Sequence, residues 1–406
     1  MIPQIHIEDY SYDLPDSRIA KYPLERRDSS KLLIYKDGTV RDSVFSSLPQ
    51  ELPGDSLMIF NDTRVVPARL FFRRRTGAHI EIFCLEPVSP AEYVAAFAAT
   101  GLCRWKCVIG NSKRWKGDVL ALDGSEVGEL AQMRLRASLV SLEGQTGTVE
   151  FTWDGGAPFS RVLELCGKVP IPPYLNRDTE AIDLERYQTT YARVRGSVAA
   201  PTAGLHFTPE VLERIKSRGI LTADVCLHVG AGTFLPVKSS LVSEHPMHRE
   251  PFIVKRSLLE TLAKGSKSVT AVGTTSVRTL ESLYYVGVEC LEHKGERDWS
   301  PSDVDQWAPY TREYPFSTAE ALGAIVDYLD SRGLDCLKLG TRIIIVPGFR
   351  FRIVERMVTN FHQPQSTLLL LISAFVGGDW RTIYDHALRG GYRFLSYGDS
   401  SLLFKK

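Results

Sequence analysis

Short apolar runs, some alternating with polar residues and some continuous, are broken along the chain by glycine, proline and asparagine turns. Near the N-terminus, 31–35 reads as a strand followed by turn chemistry at Lys36-Asp37-Gly38-Thr39. Residues 56–60 read as a buried strand that ends at Asn61-Asp62-Thr63. From Val65 to about Trp153 the texture changes. Six β-rich runs (68–72, 79–85, 105–109, 119–122, 134–142 and 148–152) alternate with glycine-containing turns, without a helical period between them. This is the pattern of a small all-β barrel.

Helices return after Gly156, the first at 159–166. Thr208-Pro209-Glu210 opens another: a hydroxyl to cap it, proline at its first position and an acid in its first turn, with Gly219 to close it. Strands at 220–227, 268–272 and 342–346 then alternate with helices at 257–264 and 276–285. Between about 293 and 339 lies an acidic, irregular stretch with one helix at 318–331, read as a surface insertion. The prediction is an α/β fold: a large mixed α/β domain (1–64 and 157–406) carrying an inserted small all-β barrel domain (65–156).

At 406 residues, 44% of them hydrophobic, the chain can bury two cores. Its 49 basic and 48 acidic residues leave a net charge of +1, so an anionic partner has to be met by a local patch. Arg64, Arg69, Arg73, Arg74 and Arg75 form one such patch; Arg104, Lys106, Lys113, Arg114 and Lys116, with Trp105 and Trp115 among them, form another. Interleaved bases and aromatics suit phosphate contact plus base stacking, and equally a solvated edge strand. The start of the chain has no secretion-signal pattern, the longest apolar run, 368–376, is too short to span a bilayer, and seven scattered cysteines suggest a reducing compartment. A soluble, cytoplasmic protein without a membrane partner is expected.

Polar and glycine residues gather at the ends of the predicted strands, where α/β folds bind ligands. Six clusters do so: 61–64, 201–207, 228–234, 273–278, 360–367 and 396–399. In Pro201-Thr202-Ala203-Gly204-Leu205-His206-Phe207 an imidazole is held before a capped helix, next to main chain that a ligand can approach. The same turn is equally explained if Gly204 serves the backbone and His206 bonds locally. Gly273-Thr274-Thr275 between a strand and a helix is a small-residue turn able to receive phosphate, ribose or carboxylate, and it is neither a Walker loop nor Gly-x-Gly-x-x-Gly. In Glu244-His245-Pro246-Met247-His248 the proline prevents both imidazoles sharing a helix face, so no metal site is expected.

Taken in order and spacing, the motifs resemble the S-adenosylmethionine:tRNA ribosyltransferase-isomerase family. They are Tyr22-Pro23-Leu24-Glu25-Arg26-Arg27-Asp28, Phe60 to Arg69, Val169-Pro170-Ile171-Pro172-Pro173-Tyr174, Arg186 to Ala192, Ala199 to Phe207, Leu227 to Phe234, Val272 to Ser282, Thr359-Asn360-Phe361-His362 and Tyr392 to Asp399. The resemblance implies transfer and isomerisation of the ribosyl part of S-adenosylmethionine onto 7-aminomethyl-7-deazaguanine at the tRNA wobble position. Epoxyqueuosine-tRNA forms, and adenine and methionine are released. S-adenosylmethionine is then a co-substrate, with no prosthetic group or metal, and tRNA is the partner of a monomer or homodimer.

Such chemistry needs a base beside the sulfonium, an acid for the departing adenine and a polar pocket. The matching motifs nominate His206 and His228 as the acid/base pair, with His248, His362 and Asp62 as further catalytic candidates. Substrate contacts fall on Asn61, Thr63, Arg64, Thr202, Gly204, Gly230, Gly232, Thr233, Thr274, Thr275, Arg278, Asn360, Ser366, Thr367, Tyr397 and Asp399. RNA contacts fall on Arg69, Arg73, Arg74, Arg75, Lys113 and Arg114. The chain departs from the family in the length of 293–339 and at Gln363 and Gln365, where an apolar residue and a lysine are expected. Two alternatives stay open: a related S-adenosylmethionine-dependent transferase acting on another nucleotide or a free base, and a catalytically silent RNA-binding paralogue.

Overall fold

A computed structural model describes residues 2–123, 132–230, 239–296 and 298–406. Among them, nine strands form one mixed sheet in the order Cys336–Thr341, Glu250–Lys255, Leu221–Leu227, Ser56–Asn61, Ser268–Val272, Val354–Asn360, Ser400–Phe404, Lys31–Lys36, Thr39–Val44. Leu221–Leu227, Ser56–Asn61, Ser268–Val272 and Val354–Asn360 lie side by side and parallel. All six residues of Ser56–Asn61 are buried, because a parallel strand is covered on both faces and so reads as a continuous apolar run. The pleat sends Leu57 and Ile59 into one core, beneath helix Thr274–Glu292, and Met58 and Phe60 into another, beneath helix Pro209–Ser217. Full burial of each such side chain contributes about 1.5–3 kcal/mol, which makes the two covering layers obligatory.

The six runs predicted between 68 and 152 close into an antiparallel barrel. Its strands lie in the order Thr146–Thr152, Leu102–Gly110, His79–Ser89, Arg69–Arg73, Leu120–Leu122, Arg136–Glu143. Its core takes Phe72, Trp105, Val149 and Phe151 from alternate positions. Helix Phe159–Cys166 packs Phe159, Val162 and Leu163 into that same core.

Three features differ from the sequence reading. A six-residue helix, Tyr93–Ala98, lies within the barrel region; it is too short and too alanine-rich to show a period. Residues 342–346 are not a strand. Their buried isoleucines enter the core, but Arg342 and Ile344 bond their main-chain N–H groups to the loop carbonyls of Val304 and Gln306, and the edge strand is Cys336–Thr341. Finally, 293–339 is more than a surface feature. Helix Thr318–Arg332, started by the Ser317/Glu320 capping box, buries Ala321, Leu322, Ile325 and Leu329 against the large core, and the edge strand follows it.

Candidate active site

Leu227, Val272 and Asn360 end three of the parallel strands, and the segments after them wall a cavity of about 160 Å³. Its other walls come from the turn at Pro201, Thr202 and Ala203, from 343–345, and from His362 to Leu368. Gly273, at φ +88°, lets the chain turn directly from its strand into helix Thr274–Glu292, in a conformation that an L side chain rarely adopts. The 19-residue helix therefore starts at the cavity, with Thr274 and Thr275 in the lining and its free N–H groups favouring an anion. Helix Thr367–Phe375 also begins there, capped by Ser366, whose oxygen accepts from the Leu369 N–H at 3.2 Å.

Among the described residues, three buried side-chain atoms in this lining have no hydrogen-bond partner: Tyr187 Oη, Arg278 Nη2 and Asn360 Oδ1. Arg278 donates from Nε to the Ile343 carbonyl at 3.1 Å and from Nη1 to the Glu250 carboxylate, but its Nη2 is unpartnered. Asn360 donates from Nδ2 to the Leu395 carbonyl at 3.0 Å and to His206 Nε2 at 3.2 Å, leaving Oδ1 unpartnered. A carbonyl can only accept, so Leu395 fixes which end of the amide is nitrogen. The cavity thus holds an unused donor on a fixed cation and an unused acceptor. Left unpaired, each costs about 1–3 kcal/mol, so both are suited to a ligand that offers a carboxylate and an N–H group.

The histidines divide into two groups. His206 and His228 do not line the cavity. The imidazole of His206 is buried between Ser30 Oγ, 2.8 Å from Nδ1, and Asn360, and burial first, then Arg393, holds it down at about 3. Since Nε2 accepts from Asn360, the ring proton is on Nδ1 and faces Ser30. His228 is 3.0 Å from Thr63 Oγ1, stacks on Tyr93 with centroids 5.2 Å apart, and is lowered to about 4 by burial. His362 does line the cavity, with Nε2 2.9 Å from Thr359 Oγ1, and burial lowers it to about 3. His248 lies at the exposed rim beside His245, which burial and then His248 hold below the usual imidazole range.

Of the other predicted residues, Thr202, Gly230, Thr274, Thr275, Arg278, Asn360, Ser366 and Thr367 line the cavity, as do the divergent Gln363 and Gln365. Gly232 and Thr233 lie outside the described residues. Asn61 is committed elsewhere: its amide accepts from Leu227 N–H at 3.0 Å and donates to the Leu227 carbonyl at 3.0 Å, stitching two strands together. Thr63 bonds His228, and Arg64 is exposed on a short strand away from the cavity. Asp62 is also elsewhere, 3.7 Å from Arg193; burial first, then Asp224, pushes its carboxyl up to about 6. Gly204 serves packing, since a Cβ there would lie 1.9 Å from Tyr191 Oη. Tyr397 donates to Asp183 at 2.8 Å, and Asp399 accepts from the Lys31 and Arg393 N–H groups at 3.1 and 2.8 Å, so both anchor the fold.

The barrel patches change most. Arg69 pairs with Glu81, Arg73 with Asp123 at 2.8 Å and Arg74 with Asp118 at 2.9 Å, while Arg75, Lys113 and Arg114 are exposed. Trp105 and Trp115 are buried in the barrel and cannot stack on bases. Sequence reasoning missed Glu250, Ser396 and Tyr174 in the cavity lining. Ser396 and Tyr174 lay inside quoted motifs, whereas Glu250 gave no signal beyond an acid opening a strand.

Among the described residues, no group of three or more His, Cys, Asp or Glu is arranged to hold a metal ion, and no helix is long and apolar enough to cross a membrane. A solved S-adenosylmethionine tRNA ribosyltransferase from Thermotoga maritima is 26% identical over 98% of this chain and 100% of that one, with a TM-score of 0.46. Curated proteins named S-adenosylmethionine:tRNA ribosyltransferase-isomerase are closer in sequence. The one from Trichlorobacter lovleyi is 38% identical over 98% of this chain and 99% of its own, and the one from Caulobacter vibrioides 39% over 99% of each. The family described as queuosine biosynthesis protein matches residues 7–403. The chain therefore belongs to the queuosine biosynthesis protein family.

Proposed function

We propose that the protein transfers and isomerises the ribosyl moiety of S-adenosylmethionine onto 7-aminomethyl-7-deazaguanine in the wobble position of tRNA, releasing adenine and methionine. One observation carries the reading. The Nη2 of Arg278 and the Oδ1 of Asn360 are both buried in one cavity and, among the described residues, both unpartnered. An amino-acid carboxylate suits the first, and the N–H edge of a purine or deazapurine suits the second. The threonines at the start of helix Thr274–Glu292 offer hydroxyls to a ribose between them.

In this reading His206 is a positioning residue. It receives one N–H of Asn360 and, with the Leu395 carbonyl, holds the amide whose oxygen is left for substrate. Proton transfer falls to groups that the substrate can reach: His362 in the wall, which is neutral at physiological pH, and His248 or His245 at the rim. The closed barrel, with the chain from 65 to 156, is taken as a unit inserted in the large α/β domain. Seven free cysteines are in keeping with work in the cytoplasm. The test is to mix the protein with S-adenosylmethionine and tRNA that carries 7-aminomethyl-7-deazaguanine. Adenine and methionine released one to one with a mass gain on the tRNA supports the proposal. Release with the free base alone points to a different acceptor, and RNA binding without release to a silent paralogue.

A further inference from the structure

Behind His206, on the side away from Asn360, a second and smaller cleft of about 20 Å³ is lined by Arg27, Arg186 and Arg393. That is room for roughly one oxygen atom. The two spaces adjoin: Ser396 lines both, and His206 stands between them, bonded to Asn360 on one side and to Ser30 on the other. The cleft is strongly cationic. Among the described residues neither Arg27 nor Arg186 has a carboxylate within ion-pair distance. Arg27 spends its donors on the carbonyls of Gln188, Glu185 and Leu205 at 2.7–3.3 Å, and Arg186 Nη2 donates to that of Leu24 at 2.5 Å. Carbonyls orient a guanidinium without cancelling its charge. Of the three, only Arg393 has a counter-ion among the described residues, Asp399 at 3.2 Å, and that carboxylate is already shared among main-chain N–H groups. Arg186 Nε is buried with no acceptor among the described residues. The cost of holding like charges together is felt by the neighbours: burial and then Arg186 lower the Arg27 guanidinium.

We infer that this arginine cleft is a phosphodiester subsite, which takes one oxygen of the RNA backbone next to the nucleotide whose base enters the main cavity. The inference rests on the proposed tRNA-modifying reading. It adds an RNA contact on the large domain to those open to the barrel, where Arg69, Arg73 and Arg74 are paired with carboxylates and Arg75, Lys113 and Arg114 are exposed. Three arginines lining a one-oxygen space, with Arg186 Nε unpartnered among the described residues, suit the charged, planar recognition that phosphate receives from arginine.

The test uses an anticodon stem-loop that carries 7-aminomethyl-7-deazaguanine, in its natural form and with a neutral methylphosphonate placed 5′ or 3′ of that nucleotide. Binding is read by fluorescence anisotropy, which needs no turnover, so failure of the subsite and failure of the reaction are told apart. With the unaltered protein, one of the two methylphosphonates is expected to weaken binding about tenfold or more, as loss of a charge-assisted contact implies. Arg186→Gln should bind the natural RNA about as weakly as that, ignore the methylphosphonate, and flatten the slope of log affinity against log salt by about 0.7–0.9. Equal binding of all three RNAs by the unaltered protein overturns the inference whether or not Arg186→Gln folds. So does an Arg186→Gln protein that still distinguishes them. Protection of the unaltered protein by inorganic phosphate without any methylphosphonate effect also overturns it, in favour of a free-phosphate site.

Discussion

The side-chain nitrogen of Asn360 lies 3.2 Å from Nε2 of His206, across 154 residues of sequence, and this bond joins the one to the Leu395 carbonyl in holding the amide. A histidine whose Nε2 accepts from an amide and whose Nδ1 proton is given to Ser30 has no nitrogen left for substrate. Its effect on catalysis should pass through Asn360. We expect Asn360→Ala to lower kcat/KM by about 10- to 100-fold, the worth of one buried hydrogen bond. His206→Ala should lower it less, and the double variant no further than Asn360→Ala. A double-mutant cycle checks this; additive losses would mean that His206 acts on its own.

Arg278 should read the carboxylate of S-adenosylmethionine. Replacing it with an apolar residue would remove a guanidinium partner from the buried Glu250 carboxylate, so the informative change is Arg278→Lys, which keeps the charge and loses the fork. The KM for S-adenosylmethionine is expected to rise about tenfold or more. The unaltered protein should discriminate strongly against the decarboxylated analogue, and Arg278→Lys should do so weakly. Measuring KM for both compounds with both proteins decides it.

Gly287 sits where helix Thr274–Glu292 meets helix Thr318–Arg332, and a Cβ there would lie 2.1 Å from the Ala321 carbonyl oxygen. Gly287→Ala forces the two backbones apart and should cost about 1–3 kcal/mol, read as a lower Tm with KM values little changed. An unchanged Tm would show that 318–332 does not pack on the core.

The buried imidazoles make stability depend on pH with a definite sign. His206, at about 3, is neutral in the folded protein across the range in which it protonates in the unfolded chain, near 6.5. The unfolded state therefore binds the extra proton, and stability falls as pH drops from about 6.5 toward 3, by roughly 1.4 kcal/mol per pH unit for this one group. His362 and His228 act in the same direction. Asp62, raised to about 6 by burial, acts in the opposite sense: the folded protein holds the proton more tightly, so stability falls as pH rises from about 4 to 6. Melting between pH 4.5 and 7.5 should give a shallower acid loss for His206→Gln, and a gain at pH 7 over the parent for Asp62→Asn.

What was legible in the sequence is what local chemistry dictates. Thr208-Pro209-Glu210 starts a helix because hydroxyl, ring and acid act within one turn, and the Thr208 oxygen does accept from Val211 N–H at 3.3 Å. The barrel runs were legible because alternate residues must face one core. The run at 342–346 has the same apolar texture as a strand, yet its main chain found loop carbonyls instead. The site was legible as a set of loops but not as a set of roles. That His206 lies beside a glycine turn can be read locally; that Ser30 and Asn360 claim its two nitrogens depends on contacts 176 and 154 residues away. For the same reason Trp105 and Trp115 looked available to stack on bases until the barrel closed over them.

The most direct measurement is a single turnover with S-adenosylmethionine labelled with ¹³C at all five ribose carbons, tRNA carrying 7-aminomethyl-7-deazaguanine, and mass analysis of the wobble nucleoside. The account predicts that all five labelled carbons appear there, in step with one adenine and one methionine, and that both Asn360→Ala and Arg278→Lys slow the transfer. An unlabelled wobble nucleoside, or labelled transfer at the parental rate in both variants, would contradict it.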